Sequence, residues 1–140
     1  MFIKKLLVSL LILSVFSTKF SFSYENKIIL KVENEIVTTI DILNESKYLK
    51  ALNKNLKDIN KNDIYEISIN SLIREKIKKI EILNNFKEIK IDENYLNQLI
   101  KTSYNNLKFQ NKNDFVNYLN ENQVDFEVFK NKIIIEALWN

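Results

Sequence analysis

The chain is expected to fold as a mainly α-helical domain, a short N-terminal β-hairpin followed by about five helices around one long central helix. Three observations carry this. Residues 63–86 (DIYEISINSLIREKIKKIEILNNF) place Ile69, Ile73, Ile77, Ile80 and Leu83 at spacings of three and four, the period of one helix face, with Arg74, Glu75, Lys78, Lys79 and Glu81 off that stripe. Ile64, Ile67, Leu72, Ile82 and Phe86 widen the apolar surface, so neighbours are expected on more than one flank. Polar capping residues set between two hydrophobes recur along the chain, and two short β-prone runs stand ahead of the first helix. With 46% hydrophobic and 28% charged residues, the 140-residue chain has material for one globular core.

Taken in order, residues 27–32 (KIILKV) and 36–38 form two strands, and Asn34 between them is the residue expected at positive φ. Thr38 begins a capping box with Asp41, and Val37 can staple to Ile42. The helix that follows is expected to reach about Leu52 with Ile42, Leu49 and Leu52 inward. Residues 53–62 are polar and are expected to be a loop or frayed end before the long helix. Residues 87–90 connect that helix to a third, capped at Asp92 between Ile91 and Leu96 and continued by Leu96, Ile100 and Tyr104. Asn111 with Asp114 and Phe115 starts a fourth helix, carrying Phe115, Tyr118 and Leu119. Asp125, between Val124 and Phe129, starts a fifth that runs to the end. Its apolar content, Phe126 through Trp139, is too broad for one buried stripe, so part of it is expected to remain uncovered and to favour self-association or other partners.

Residues 1–23 have the form of a secretory signal peptide: Lys4 and Lys5 precede an apolar run at 6–16, and Ser21-Phe22-Ser23 is a small-x-small cleavage site, placing the cut between Ser23 and Tyr24. At 11 residues, the run is shorter than the roughly 18 of a spanning helix. The remaining domain, 24–140, is expected to work outside the cytoplasm. Of 21 basic residues, Lys4, Lys5 and Lys19 belong to the leader, so 18 remain against 18 acidic ones, a balance that argues against nucleic acid as a partner. The chain has no Gly, Pro, Cys or His. It therefore has no thiolate or imidazole for catalysis, no zinc site of the usual ligands and no glycine-rich phosphate loop. No catalytic residue, metal or cofactor is assigned; Glu75, Glu81, Asp92 and Glu93 fit helix faces and helix starts.

The order hairpin, capped helix, loop, long helix and three short helices resembles the N-terminal domain of the SurA-type periplasmic chaperones, relatives of the parvulin-type prolyl isomerases. The match is carried by VENEIVTTIDI (32–42), SLIREKI (71–77), IDENYLNQLI (91–100) and DFEVFKNKI (125–133), and it spans nearly all of 24–140. Two departures stand out: the hairpin turn lacks the family's glycine, with Asn34 in its place, and the sequence at hand ends at Asn140, where family members continue into parvulin domains. The resemblance implies a periplasmic, ATP-independent chaperone for unfolded or extended polypeptides, above all outer-membrane proteins. Alternatives are the N-terminal part of a prolyl isomerase, whose activity would lie in residues after Asn140, and a secreted helical interaction domain. On the chaperone reading, Tyr104, Phe109, Tyr118 and Trp139 are the candidate client-binding residues; the first three suit a core or a surface equally, and Trp139 suits packing at the last turn. Phe115, Leu119, Phe126 and Phe129 are expected in the core.

Overall fold

The computed structural model describes residues 25–86 and 88–140. The leader, with the Ser23–Tyr24 cleavage site, lies outside the described residues. Strands β1 (Ile28–Val32) and β2 (Glu35–Thr38) pair antiparallel, with Val32 opposite Glu35 and an extra residue in β1 between Ile28 and Leu30. The two-residue turn departs from expectation: Glu33, its first residue, takes positive φ (51°), and Asn34 does not. Positive φ at the first turn position already suits the right-handed twist of the two strands, so Asn34 is relieved of the role.

Helix α1 (Thr39–Leu52) starts where expected. The Thr38 hydroxyl oxygen accepts from the Asp41 N–H at 3.3 Å, and Asp41 Oδ2 accepts from the Thr38 N–H at 2.8 Å. Val37 and Ile42 are buried on either side of this box, together with Leu72 of the long helix. A short 3-10 turn (Lys54–Leu56) follows, and the long helix α2 (Lys61–Asn85) begins inside the polar run 53–62, ahead of the expected start at Asp63. Its cap is Asn60, whose side-chain oxygen accepts from the N–H groups of Asn62 and Asp63.

The buried face of α2 is not the Ile69-to-Leu83 stripe. Ile64, Ser68, Leu72 and Ile82 are its buried residues, whereas Ile77 and Leu83 are exposed. The face pointing inward carries a serine, whose hydroxyl donates back to the Ile64 carbonyl at 2.7 Å, and it carries Glu75 and Lys79 half-buried. Counting hydrophobes alone selects the more continuous stripe and misses the face that combines burial with paired polar groups.

Helices α3 (Glu93–Asn106), α4 (Lys112–Glu121) and α5 (Phe126–Trp139) start on the side chains of Asp92, Asn111 and Asp125. Both α3 and α4 end in the same way. Lys108 and Gln123 adopt φ of 68° and 59°. The N–H groups of Phe109 and Val124 reach back to the carbonyls of Tyr104 and Leu119, each at 2.9 Å, and those of Lys108 and Gln123 to Asn105 and Asn120. These are Schellman ends built without glycine, and at each the two residues that such an end brings together, Tyr104 with Phe109 and Leu119 with Val124, take part in the larger core.

The core has two parts. The larger gathers Ala51 of α1, Ile100 of α3, Phe115 and Leu119 of α4, Val124 and Phe129 of α5. The smaller joins the hairpin, α1 and α2 through Val37, Ile42 and Leu72. Helix α1 reaches from one to the other, and α2 lies against β1, α1 and α5. Because the Thr38 box fixes the first turn of this shared helix, Thr38→Ala is expected to cost about 1 kcal/mol, read as a lower denaturation midpoint with an unchanged slope.

Candidate functional site

Between the two apolar clusters lies a charge node. Glu45 of α1 has a side chain only 2% exposed, and its carboxylate accepts from the Lys132 ammonium of α5 at 2.7 Å and from the Ser71 hydroxyl of α2 at 2.7 Å. Lys132, 12% exposed, also donates to Glu75 of α2. Its ammonium stands 4.8 Å from the centre of the Tyr48 ring, a cation–π contact. Each member belongs to an inward face: Glu45 falls between Ile42 and Ala51, Glu75 after Leu72, and Lys132 between Phe129 and Ile135. Burial pushes the Lys132 ammonium towards losing its proton, but the adjoining Glu45 and Glu75 carboxylates outweigh that and hold its pKa above the ordinary lysine value. Burial, reinforced by the charges of Glu45, Glu75 and Glu136, pushes the Tyr48 phenol well above its usual range, so it stays protonated. The ammonium, the two carboxylates and the Ser71 hydroxyl bond to one another with one negative charge in excess, and these bonds tie α1, α2 and α5 together.

A second ionic clasp ties the hairpin to α2. Glu35 accepts from Lys76 and Lys79, each at 2.8 Å, and these two hydrogen bonds lower its pKa to about 2. Further along, Lys78 pairs with Glu136 at 2.6 Å and lies 5.9 Å from the Trp139 ring. Lysines along α2 thereby fasten the hairpin on one side and α5 on the other.

The candidate client-binding residues fall in two places. Tyr104, Phe109 and Tyr118 are half-buried in one aromatic cluster around the fully buried Phe115: Phe109 stands 5.8 Å from the Phe115 ring and 4.9 Å from that of Tyr118. The Tyr118 hydroxyl donates to the Ala51 carbonyl at 2.9 Å, tying α4 to the end of α1. These three pack against the larger core and remain partly exposed. Trp139 sits apart from them, 47% exposed, in a shallow groove with Ile82, Phe86 and Leu138 where α2 and α5 end. With Val128, also exposed, it is the part of α5 left uncovered.

A third surface has no counterpart among the expectations from sequence. Between α1 and α2 runs a groove of about 340 Å³ with Ile42 and Ile64 at its floor and the exposed Ile40, Leu43 and Tyr65 along its edges. The signal for it lies in the sequence: Ile40 and Leu43 flank the buried Ile42 on α1, so the helix is apolar on more than its inward side. Comparison of the chain with protein-family models, with curated proteins and with solved structures finds no match.

Removing the node's cation leaves two carboxylates facing each other, that of Glu45 almost wholly buried and that of Glu75 partly so. Lys132→Met, which keeps the length of the side chain, is therefore expected to cost about 3–5 kcal/mol in chemical denaturation, and adding Glu45→Gln and Glu75→Gln to it to recover much of the loss. The Glu35 clasp predicts an acid dependence. Its carboxylate is bound more tightly folded than unfolded, so its contribution is complete above pH 4.5 and lost as the pH falls towards about 2. At a side chain 29% exposed this amounts to about 1–2 kcal/mol after screening, and Glu35→Gln is expected to be less stable than the parent at about pH 6 but to approach it near pH 2.5.

Proposed function

We propose that this chain is an ATP-independent holdase domain of the periplasm that binds unfolded or extended polypeptides, outer-membrane proteins foremost. The observation that carries the reading is the apolar surface left uncovered in concave places on an otherwise well-paired helical domain: the α1–α2 groove, and the groove at the ends of α2 and α5 that holds Trp139. Apolar side chains of a client buried there are removed from water at about 25 cal/mol per Å², which is enough for transient holding and needs no nucleotide. Both grooves are open and mostly apolar in their lining, in keeping with tolerance of many sequences. The leader-like first 23 residues and the order of hairpin, capped helix, long helix and three short helices, similar to that of SurA-type N-terminal domains, support the same reading.

The experiment is dilution of a urea-unfolded outer-membrane β-barrel protein into buffer with and without the purified protein, followed by light scattering. Scattering is expected to fall with increasing protein and to be insensitive to ATP. Leu43→Ser combined with Trp139→Ser, both at exposed positions, is expected to weaken the effect at unchanged far-UV circular dichroism. Full aggregation at several-fold excess of the parent protein would remove the proposal.

A further inference from the structure

The two grooves differ in their electrostatic setting. Around the Trp139 groove, Glu81 forms part of the lining and Glu136 lies one turn back along α5, paired with Lys78. Among the described residues, the only charged ones that line the α1–α2 groove are Lys50 and Lys61. They belong to a basic end of the domain: Lys47, Lys50, Lys54, Lys57 and Lys61 stand between residues 46 and 62 against the one carboxylate of Asp58. Among the described residues none of these five lysines takes part in a salt bridge, although Lys57 lies 6.0 Å from the Tyr118 ring. The nearby acids are engaged or elsewhere. Glu45 is held by Lys132, and Asp58, Asp63 and Glu66 are outside the groove lining.

An apolar trough whose rim is positive without internal compensation selects its occupant by charge as well as by hydrophobicity. We propose that the α1–α2 groove seats apolar side chains of a client segment whose neighbouring residues are acidic, with Lys50 and Lys61 meeting the client's carboxylates. The proposal rests on the holdase reading and narrows it to one class of segment. A polypeptide is the occupant rather than an anionic lipid surface because the site is concave. Its floor at Ile42 and Ile64 lies between two helices, and its volume is at the lower end of the roughly 300–1,000 Å³ of ligand pockets, room for a side chain or two. A lipid surface is met by a convex or flat apolar face.

The test is fluorescence anisotropy with dye-labelled peptides that share one apolar core, Leu and Phe, flanked by Glu, by Ser or by Lys. The Glu-flanked peptide is expected to bind about tenfold more tightly than the Lys-flanked one at low salt, the sum of a few exposed charge contacts. Lys50→Glu with Lys61→Glu is expected to invert that order, and Leu43→Ser to weaken all three peptides; circular dichroism establishes that the variants, altered only outside the core, are folded. Equal binding of the Glu- and Lys-flanked peptides, or binding untouched by Leu43→Ser, would overturn the proposal, as would co-sedimentation with phosphatidylglycerol vesicles in place of peptide binding. If the peptides are held without regard to charge while aggregation is still suppressed, this inference falls and the holdase reading stands. If neither peptides nor the unfolded barrel protein are held, both fall.

Discussion

The contact between Lys132 and the two carboxylates of Glu45 and Glu75 is the constraint on which the arrangement of helices depends. Among the described residues it is the one place where α1, α2 and α5 meet through largely buried charges, and it lies between two separate apolar clusters. Apolar contacts tolerate sliding; a buried ammonium between two carboxylates does not. A slip of α5 by one turn in one direction would present Val128 to Glu45 and Glu75, and in the other direction the carboxylate of Glu136. Either way the buried charges lose their partners, which is far more costly than the pair is stabilising. In this fold the node's contribution is to register, while the net stability comes from Phe115, Phe129, Leu119 and their neighbours, which are fully buried or nearly so.

The absence of glycine imposes a second condition. A hairpin turn and two helix ends each need a residue at positive φ, and they are filled by Glu33, Lys108 and Gln123 at roughly 1–2 kcal/mol apiece. What holds the two helix ends in place is the burial that follows: Phe109 and Tyr104 pack against the larger core and Val124 and Leu119 lie within it, so the strain at α3 and α4 is offset by the cluster they help to build. The half-buried aromatics Tyr104, Phe109 and Tyr118 thus have a structural task in ending helices and lining the core, whatever else their exposed parts touch.

Most helix starts are legible in the sequence because capping is local chemistry. Thr38 with Asp41, and Asp92, Asn111 and Asp125, each act within three residues, and each begins its helix where the sequence places it. Asn60 is harder to see, because its cap sits in a polar run among other asparagines and lysines. The residues at positive φ are not legible, since neither lysine, glutamine nor glutamate advertises that conformation. The inward face of α2 is obscured for a different reason: apolar residues occur on several of its sides. The true face is distinguished by Ser68, which bonds its own backbone, and by Glu75, whose partner lies on another helix. Yet the node leaves a trace, as Ile42, Glu45, Leu49 and Leu52 follow the 3-4-3 spacing of a buried stripe with a carboxylate in it. A charge in such a position asks for an opposite charge on another inward face, and Lys132, between Phe129 and Ile135, is one.

The division of polar and apolar surface along α2 bears on how such a domain could hold a client. From Ser71 onward its polar side chains are largely committed, Ser71 and Glu75 to the node, Lys76 and Lys79 to Glu35, Lys78 to Glu136, so this half is fixed against the hairpin and α5. Towards its start, Tyr65 and the groove floor at Ile64 face α1 with no such ties. A rigid half and an uncommitted half on one helix allow apolar surface to stay open without loosening the fold, because the pairing that sets the helix in place is elsewhere. Each groove is small, so on the holdase reading a single contact is weak and brief, and holding arises when one extended client reaches both the α1–α2 groove and the Trp139 groove, the second contact being favoured by the local concentration that the first creates.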